Sequence, residues 1–465
     1  MPNDADPKAL GRREFLKLMG GAIGGAVLLP YGCSDRGSGG NDTPLPNGYR
    51  FYRIIGSDQT AFPDLLQITP GLMINDRNRI LFYGQNRASD AYGLYEIQLD
   101  LAAAEPKAVG FRTLAATGGR LTPSGRQQVG RILRADTNAA GQTAILLDTL
   151  ADGPGAAKPD ALASVYIDSG DGRLERIVGF NDRAPDGGRY GGAFGDLSLH
   201  DNADLLLVAQ FSDQAGDNAQ ALFALPGAQP SRGQIQLRTG TALQGRASAL
   251  VSSLGLVDLN DAGNYTIQTN VHTPQWRAGT GAAPEPAQAA LLQGRVMQGL
   301  GAAPTNILSA PMPTGLSSDI QGAVILGPRA GAEDAAAWVT HMPNPGPTTA
   351  TEEQVLYYKH GGRVREVARA GGHSPIHALS APVLSRSGLL FYLQVNTAAK
   401  PGLELKVLGD GEPQTILAQG DEVAGKTLSG IMYGFHAQQA DIEGRIVVYA
   451  EFADGDTAIL LGVPA

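Results

Sequence analysis

The sequence is poor in the residues that most often carry chemistry. Cys33 is the one cysteine among 465 residues. No intrachain disulfide can form, so a domain of about 400 residues must hold by burial alone. Cysteine is also removed as a catalytic nucleophile once Cys33 has another use. Charged residues make up only 17%, no basic run is present, and the net charge is −9. That balance excludes a disordered polyelectrolyte and argues against nucleic acid as a partner. There is no G-x-S-x-G elbow and no Walker-type phosphate loop. The acid-rich stretches "DSGDGRLE" (168–175), "LGDGEP" (408–413) and "FADGDTA" (452–458) lack the spacing of a calcium loop. Asp-Gly between strands is hairpin chemistry instead. Of seven histidines, His373 and His377 stand four apart, but in "GGHSPIHALS", where Gly and Pro break the helix such a pair needs. No catalytic residue, metal ligand or cofactor is assigned from these signals.

The apolar stretch 18–32 has 15 residues, fewer than the roughly 20 of a spanning helix. Ahead of it stands "GRREFLKL". Arg12 and Arg13, then Phe15, Leu16 and Lys17, resemble the twin-arginine translocation signal. Directly after it comes Cys33, and "LLPYGC" resembles a lipobox, which implies cleavage before Cys33 and lipidation of its thiol. The polar stretch "SDRGSGGNDTPLPNG" suits a flexible tether. The chain is thus expected to comprise a signal peptide (1–32), a tether (33–48) and one domain (49–465). It is expected to be exported to the periplasm, outer membrane or cell surface, and to touch the membrane through a lipid anchor only.

What is abundant is turn chemistry. Gly 62 and Pro 29 make about a fifth of the chain, without a triplet period. One turn recurs. Its first position is Asn, Asp or Ser and its fourth a residue that tolerates a positive φ: Asn75 with Asn78, Asn138 with Gly141, Asp201 with Asp204, Asn260 with Gly263, Asp319 with Gly322, Ser385 with Gly388, and Asp441 with Gly444. The spacings are 63, 63, 59, 59, 66 and 56 residues. Short polar side chains fold back onto the backbone two residues on, and glycine accepts the left-handed conformation. In most copies an apolar run follows, then a second such as "GLYEIQL" (93–99), then a run ending in Gly such as "GRLERIVG" (172–179). With the strand before the turn, each unit has four short strands. Repeats of four antiparallel strands predict an all-β, seven-bladed propeller. The last unit ends one strand early, and "RIIGSD" (53–58) matches the fourth-strand stretch "RIVGFND" (176–182). The N-terminal strand is therefore expected to complete the last blade and close the ring.

The repeat resembles that of bacterial exported proteins with tandem NxxGxxAF repeats, over about residues 49–465. The Ala-Phe positions read Leu81-Phe82, Ala144-Ile145, Leu207-Val208, Thr266-Ile267, Ile325-Leu326, Phe391-Tyr392 and Val447-Val448. The resemblance implies a propeller-like exported domain and no established chemistry. On this reading the repeat turns are structural. Long insertions are expected to gather at one propeller face and carry recognition, notably 276–290 and 341–353, with Trp276 and Trp338 in or near them. Two functions stay open. One is a monomeric binding or scaffold module for a protein or glycan ligand. The other is a propeller hydrolase or lactonase with its site at the channel mouth.

Overall fold

The computed structural model describes residues 48–465 apart from 58–64, 122–126, 152–161, 244–245, 261–262, 273–287, 297–323, 331–334, 343–352, 361–362, 373, 397–401, 410 and 434–436. The chain divides into two units, Met1–Gly40 and Asn41–Ala465, and the described residues all lie in the second.

That second unit is a seven-bladed β-propeller of antiparallel blades. Among the described residues there is no α-helix, only three single turns of 3₁₀ helix. β1 (Tyr49–Gly56) opens the domain. Blade one holds β2 (Leu65–Asn75), β3 (Arg79–Asn86), β4 (Tyr92–Asp100) and β5 (Lys107–Ala116). Blade two holds β6 (Gln127–Thr137), β7 (Thr143–Ala151), β8 (Leu162–Asp168) and β9 (Leu174–Gly179). Blade three holds β10 (Arg189–Leu199), β11 (Leu205–Ser212), β12 (Asn218–Leu225) and β13 (Gln234–Arg238). In blade four a two-residue strand, β14 (Ala242–Leu243), flanks β15 (Arg246–Leu259), followed by β16 (Asn264–His272) and β17 (Gln288–Arg295). Blade five holds β18 (Val324–Ala330), β19 (Ala336–Met342), β20 (Glu353–His360) and β21 (Arg363–Ala370). In blade six the inner strand is split into β22 (Ile376–Leu379) and β23 (Val383–Leu384), and β24 (Leu390–Asn396), β25 (Gly402–Leu408) and β26 (Gln414–Ala418) follow. Blade seven holds β27 (Glu422–Val423), β28 (Lys426–Met432), β29 (Ile446–Phe452) and β30 (Thr457–Pro464).

Blades are buried on both faces, so second strands such as β3, β7 and β29 are near-continuous apolar runs rather than alternating ones. The period of two then sorts side chains between the two neighbours. On β3, Ile80 and Phe82 pack towards blade seven while Leu81 and Tyr83 pack towards blade two. On β7, Ile145 and Leu147 face blade one and Ala144 and Leu146 face blade three. The core is therefore a set of wedges between blades.

The ring closes as expected. The last sheet runs β1-β30-β29-β28-β27, with Tyr49 opposite Pro464 and Gly56 opposite Ala458. Strand direction alternates across each blade. Turns from first to second strand thus share one mouth of the ring with third-to-fourth connections. Second-to-third and blade-to-blade connections share the other. β1 starts at the first of these mouths. Tyr49 Oη donates to the Gly444 carbonyl at 2.9 Å, in the inner turn of blade seven.

Candidate functional site

Among the described residues, the first-to-second turns of blades one to four, six and seven ring the channel with a recurring backbone geometry. The opening residue donates its N–H to the carbonyl four residues on in Asn138 (3.1 Å), Asn260 (2.9 Å), Ser385 (2.8 Å) and Asp441 (3.0 Å). The fourth residue returns its N–H and sits at positive φ: Gly141 at 81°, Gly263 at 76°, Gly388 at 88° and Gly444 at 76°, with Asn78 at 58° in blade one. The opening side chain accepts the fifth residue's N–H, from Asn260 Oδ1 at 2.8 Å to Ser385 Oγ at 3.0 Å. Asn75 Oδ1 likewise takes the N–H groups of Arg77 and Arg79.

Two turns depart from the sequence reading. In blade three the pair is His200 and Ala203, one residue before Asp201 and Asp204. His200 N–H reaches the Asp204 carbonyl at 2.8 Å, and Ala203 carries the positive φ, 65°. The Ala-Phe positions there become Leu206-Leu207. In blade five, Asp319 and Gly322 lie outside the described residues, and the innermost strand, β18, begins after them. The connection between β18 and β19 is 331–335.

A second recurring bond fixes that register, and no sequence pattern announced it. In blades two, three and four, the side chain two residues before the turn accepts an N–H from the next blade's inner strand. Asp136 Oδ2 takes Leu199 N–H at 2.8 Å, Ser198 Oγ takes Leu259 N–H at 3.2 Å, and Asp258 Oδ2 takes Ala330 N–H at 2.7 Å. Leu199 and Leu259 each directly precede a turn. Ala330 closes β18, and 331–334 lie outside the described residues. Ala337-Trp338 are the second and third residues of β19, where Ala144-Ile145 stand on β7 and Leu206-Leu207 on β11. Trp338 is 4% exposed and stacks on Tyr357, so it is core and not a ligand contact. Trp276 lies outside the described residues.

The innermost strands also carry charge. Arg134 Nε meets Asp196 Oδ1 at 2.6 Å, and Asp196 Oδ2 takes Val257 N–H at 2.9 Å. Burial pushes the Asp136 carboxyl up to about 7. Its hydrogen bond from Leu199 and the nearby Arg134 oppose that rise, and Asp258 adds to it. Asp441 is raised to about 6, again chiefly by burial and against its ion pair with Arg445. Asp136 and Asp196 spend oxygens on blade-to-blade bonds, whereas Asp441 spends both on its own turn. Across the turn mouth, Arg386 Nη1 meets Asp201 Oδ2 at 2.8 Å and Asp76 Oδ2 at 3.5 Å. All three are the second residue of their turn.

Two long connections belong to the opposite mouth. Residues 273–287 join β16 to β17, and 343–352 join β19 to β20, both second to third strands. Between blades, five described connections open with a paired turn. Gly118, Gly240 and Gly420, for example, donate to the carbonyls of Val129, Val251 and Leu428. A cleft of about 640 Å³ beside blade three is lined by Asp182, Arg183, Pro185, Asp186, Gln214 and Pro230, among others. Among the described residues no three His, Cys, Asp or Glu side chains group as a metal site. Arg12, Arg13, Phe15, Leu16, Lys17 and Cys33 lie outside the described residues.

No family model matches the chain, and no curated protein matches it. Similar solved structures include polysaccharide lyase Uly1, at 9% identity over 89% of this chain and 92% of that one, TM-score 0.42. Others are the GH93 alpha-L-arabinofuranosidase of Fusarium graminearum with arabinobiose (12% identity, 77% and 97% covered, TM-score 0.34) and the SapL1 lectin in complex with alpha methyl fucoside (12%, 76% and 97%, TM-score 0.35). At such identity neither activity nor ligand carries across. The propeller assignment rests on strand order and register.

Proposed function

We propose that this chain is a binding or scaffold module of the cell envelope, exported folded by the twin-arginine route and held by a lipid on Cys33. One observation supports it above others. β1 starts at the turn mouth, where Tyr49 bonds to Gly444. The first described strand thus begins on that side, while the second-to-third connections belong to the other. An anchor at one mouth would leave those connections free for a protein or glycan ligand. The carboxylates on the inner strands act as blade-to-blade acceptors in this reading, not as acid and base.

The test is fractionation of cells expressing the full chain. Wild type is expected in the membrane fraction. Replacing Arg12 and Arg13 with Lys should trap unprocessed protein in the cytoplasm, and Cys33→Ser should release soluble exported protein. Unchanged membrane recovery in both variants would sink the address. Glycan and peptide arrays probed with detergent-solubilised protein test the ligand class. Turnover of ester or lactone substrates that is lost in Asp136→Asn would favour the hydrolase reading instead.

A further inference from the structure

We propose that Arg386 is an ionic latch across the channel axis, tying the inner turns of blades one, three and six and shutting that mouth. Its guanidinium lies 2.9 and 2.8 Å from the two oxygens of Asp201 and 3.5 Å from Asp76. In a ring of seven, blade six neighbours neither blade three nor blade one, so these contacts can only cross the axis. Both carboxylates are held from behind. Asp201 Oδ1 accepts Ala139 N–H of blade two at 2.7 Å, and Asp76 Oδ1 accepts Ile442 N–H of blade seven at 3.2 Å. One side chain thereby bears on five of the seven turns.

The chemistry suits arginine. Nη1 alone spans both Asp201 oxygens and faces Asp76, and the guanidinium never deprotonates. The Arg386 side chain is 12% exposed, so salt screens it less than a surface pair. Repeat proteins otherwise couple only through neighbouring units. A tie across the axis makes loosening of any one seam felt on the far side. With this mouth latched, a ligand of the channel enters from the opposite one.

The experiment compares full-length wild type, Arg386→Gln, Asp201→Asn and the double variant by denaturant unfolding and by amide hydrogen exchange. Each single change should raise the unfolding equilibrium constant. The double should fall short of their product by a factor of roughly ten, the coupling expected of groups in direct contact. In Arg386→Gln, amides of 200–204, some 185 residues away in sequence, should exchange severalfold faster. Those of the outer strand β13 should not. Arg386→Lys should recover only part of the coupling, and it serves the same comparison if the Gln variant fails to fold. Multiplicative effects in the cycle, or unchanged exchange at 200–204 in a folded Arg386 variant, would overturn the latch.

Discussion

Gly263 and Ala203 hold the same place in two inner turns, with φ of 76° and 65°. For an L-residue this conformation costs roughly 1–2 kcal/mol, and a β-branched side chain fares worse. A Cβ on Gly263 would meet nothing nearer than the Val296 carbonyl oxygen at 3.4 Å, so the cost there is conformational and not a clash. Gly263→Val should therefore destabilise the fold by about 2 kcal/mol. Ala203→Gly should act in the other direction. It relieves the strain but raises the entropy lost on folding, which leaves a gain of up to about 1 kcal/mol. Urea unfolding of both variants checks the pair. Equal signs would mean that these turns do not share one geometry.

The inner strands read less easily from sequence than the turns between them. Asn75, Asn138, Asn260, Ser385 and Asp441 were visible because their short side chains advertise the turn. His200 carries the same backbone bonds without such a side chain, so the neighbouring Asp201 mimics the signal one residue late. In blade five no short polar residue opens the β18–β19 connection, and Asp319 imitates one before β18. The buried strand after each turn would have set both frames, since its register is fixed by burial on two faces. The blade-to-blade acceptors and the Arg386 contacts were not legible at all. They join residues about 60 to 185 apart, and nothing local marks them. Asp136 is the acceptor with the clearest consequence. Its carboxyl sits at about 7 in the fold against about 3.9 unfolded. Between those values the folded state holds the proton more tightly. Its contribution to stability is present below pH 4 and is lost as pH rises through 7. Asp136→Asn keeps an oxygen for Leu199 N–H but cannot titrate. Its unfolding free energy should fall less steeply from pH 4 to 7, by up to about 1.4 kcal/mol per pH unit, than that of wild type. Parallel pH profiles from chemical denaturation would refute a raised carboxyl at this position.

At the scale of the ring, one strand decides whether the molecule is closed. β1 pairs with β30 across seven registered positions, from Tyr49 opposite Pro464 to Gly56 opposite Ala458. The first strand made must wait for the last, and such distant pairing is slow to form. Ile54 and Ile55 are buried between blades seven and one, with Ile459 and Leu461 beside them. Each such side chain contributes roughly 1.5–3 kcal/mol by its burial. Removing 49–56 would strip that cover and leave β30 as an open edge, which is a template for pairing with another chain. The shortened protein should melt lower and elute as oligomers in size-exclusion chromatography. A synthetic peptide of sequence "YRFYRIIG" added in trans should restore the monomer and raise the melting temperature with peptide concentration, because it binds only the folded ring. A peptide with Ile54 and Ile55 replaced by Asp should do neither. If the shortened protein stays monomeric and melts like wild type, closure by β1 is not what holds the ring.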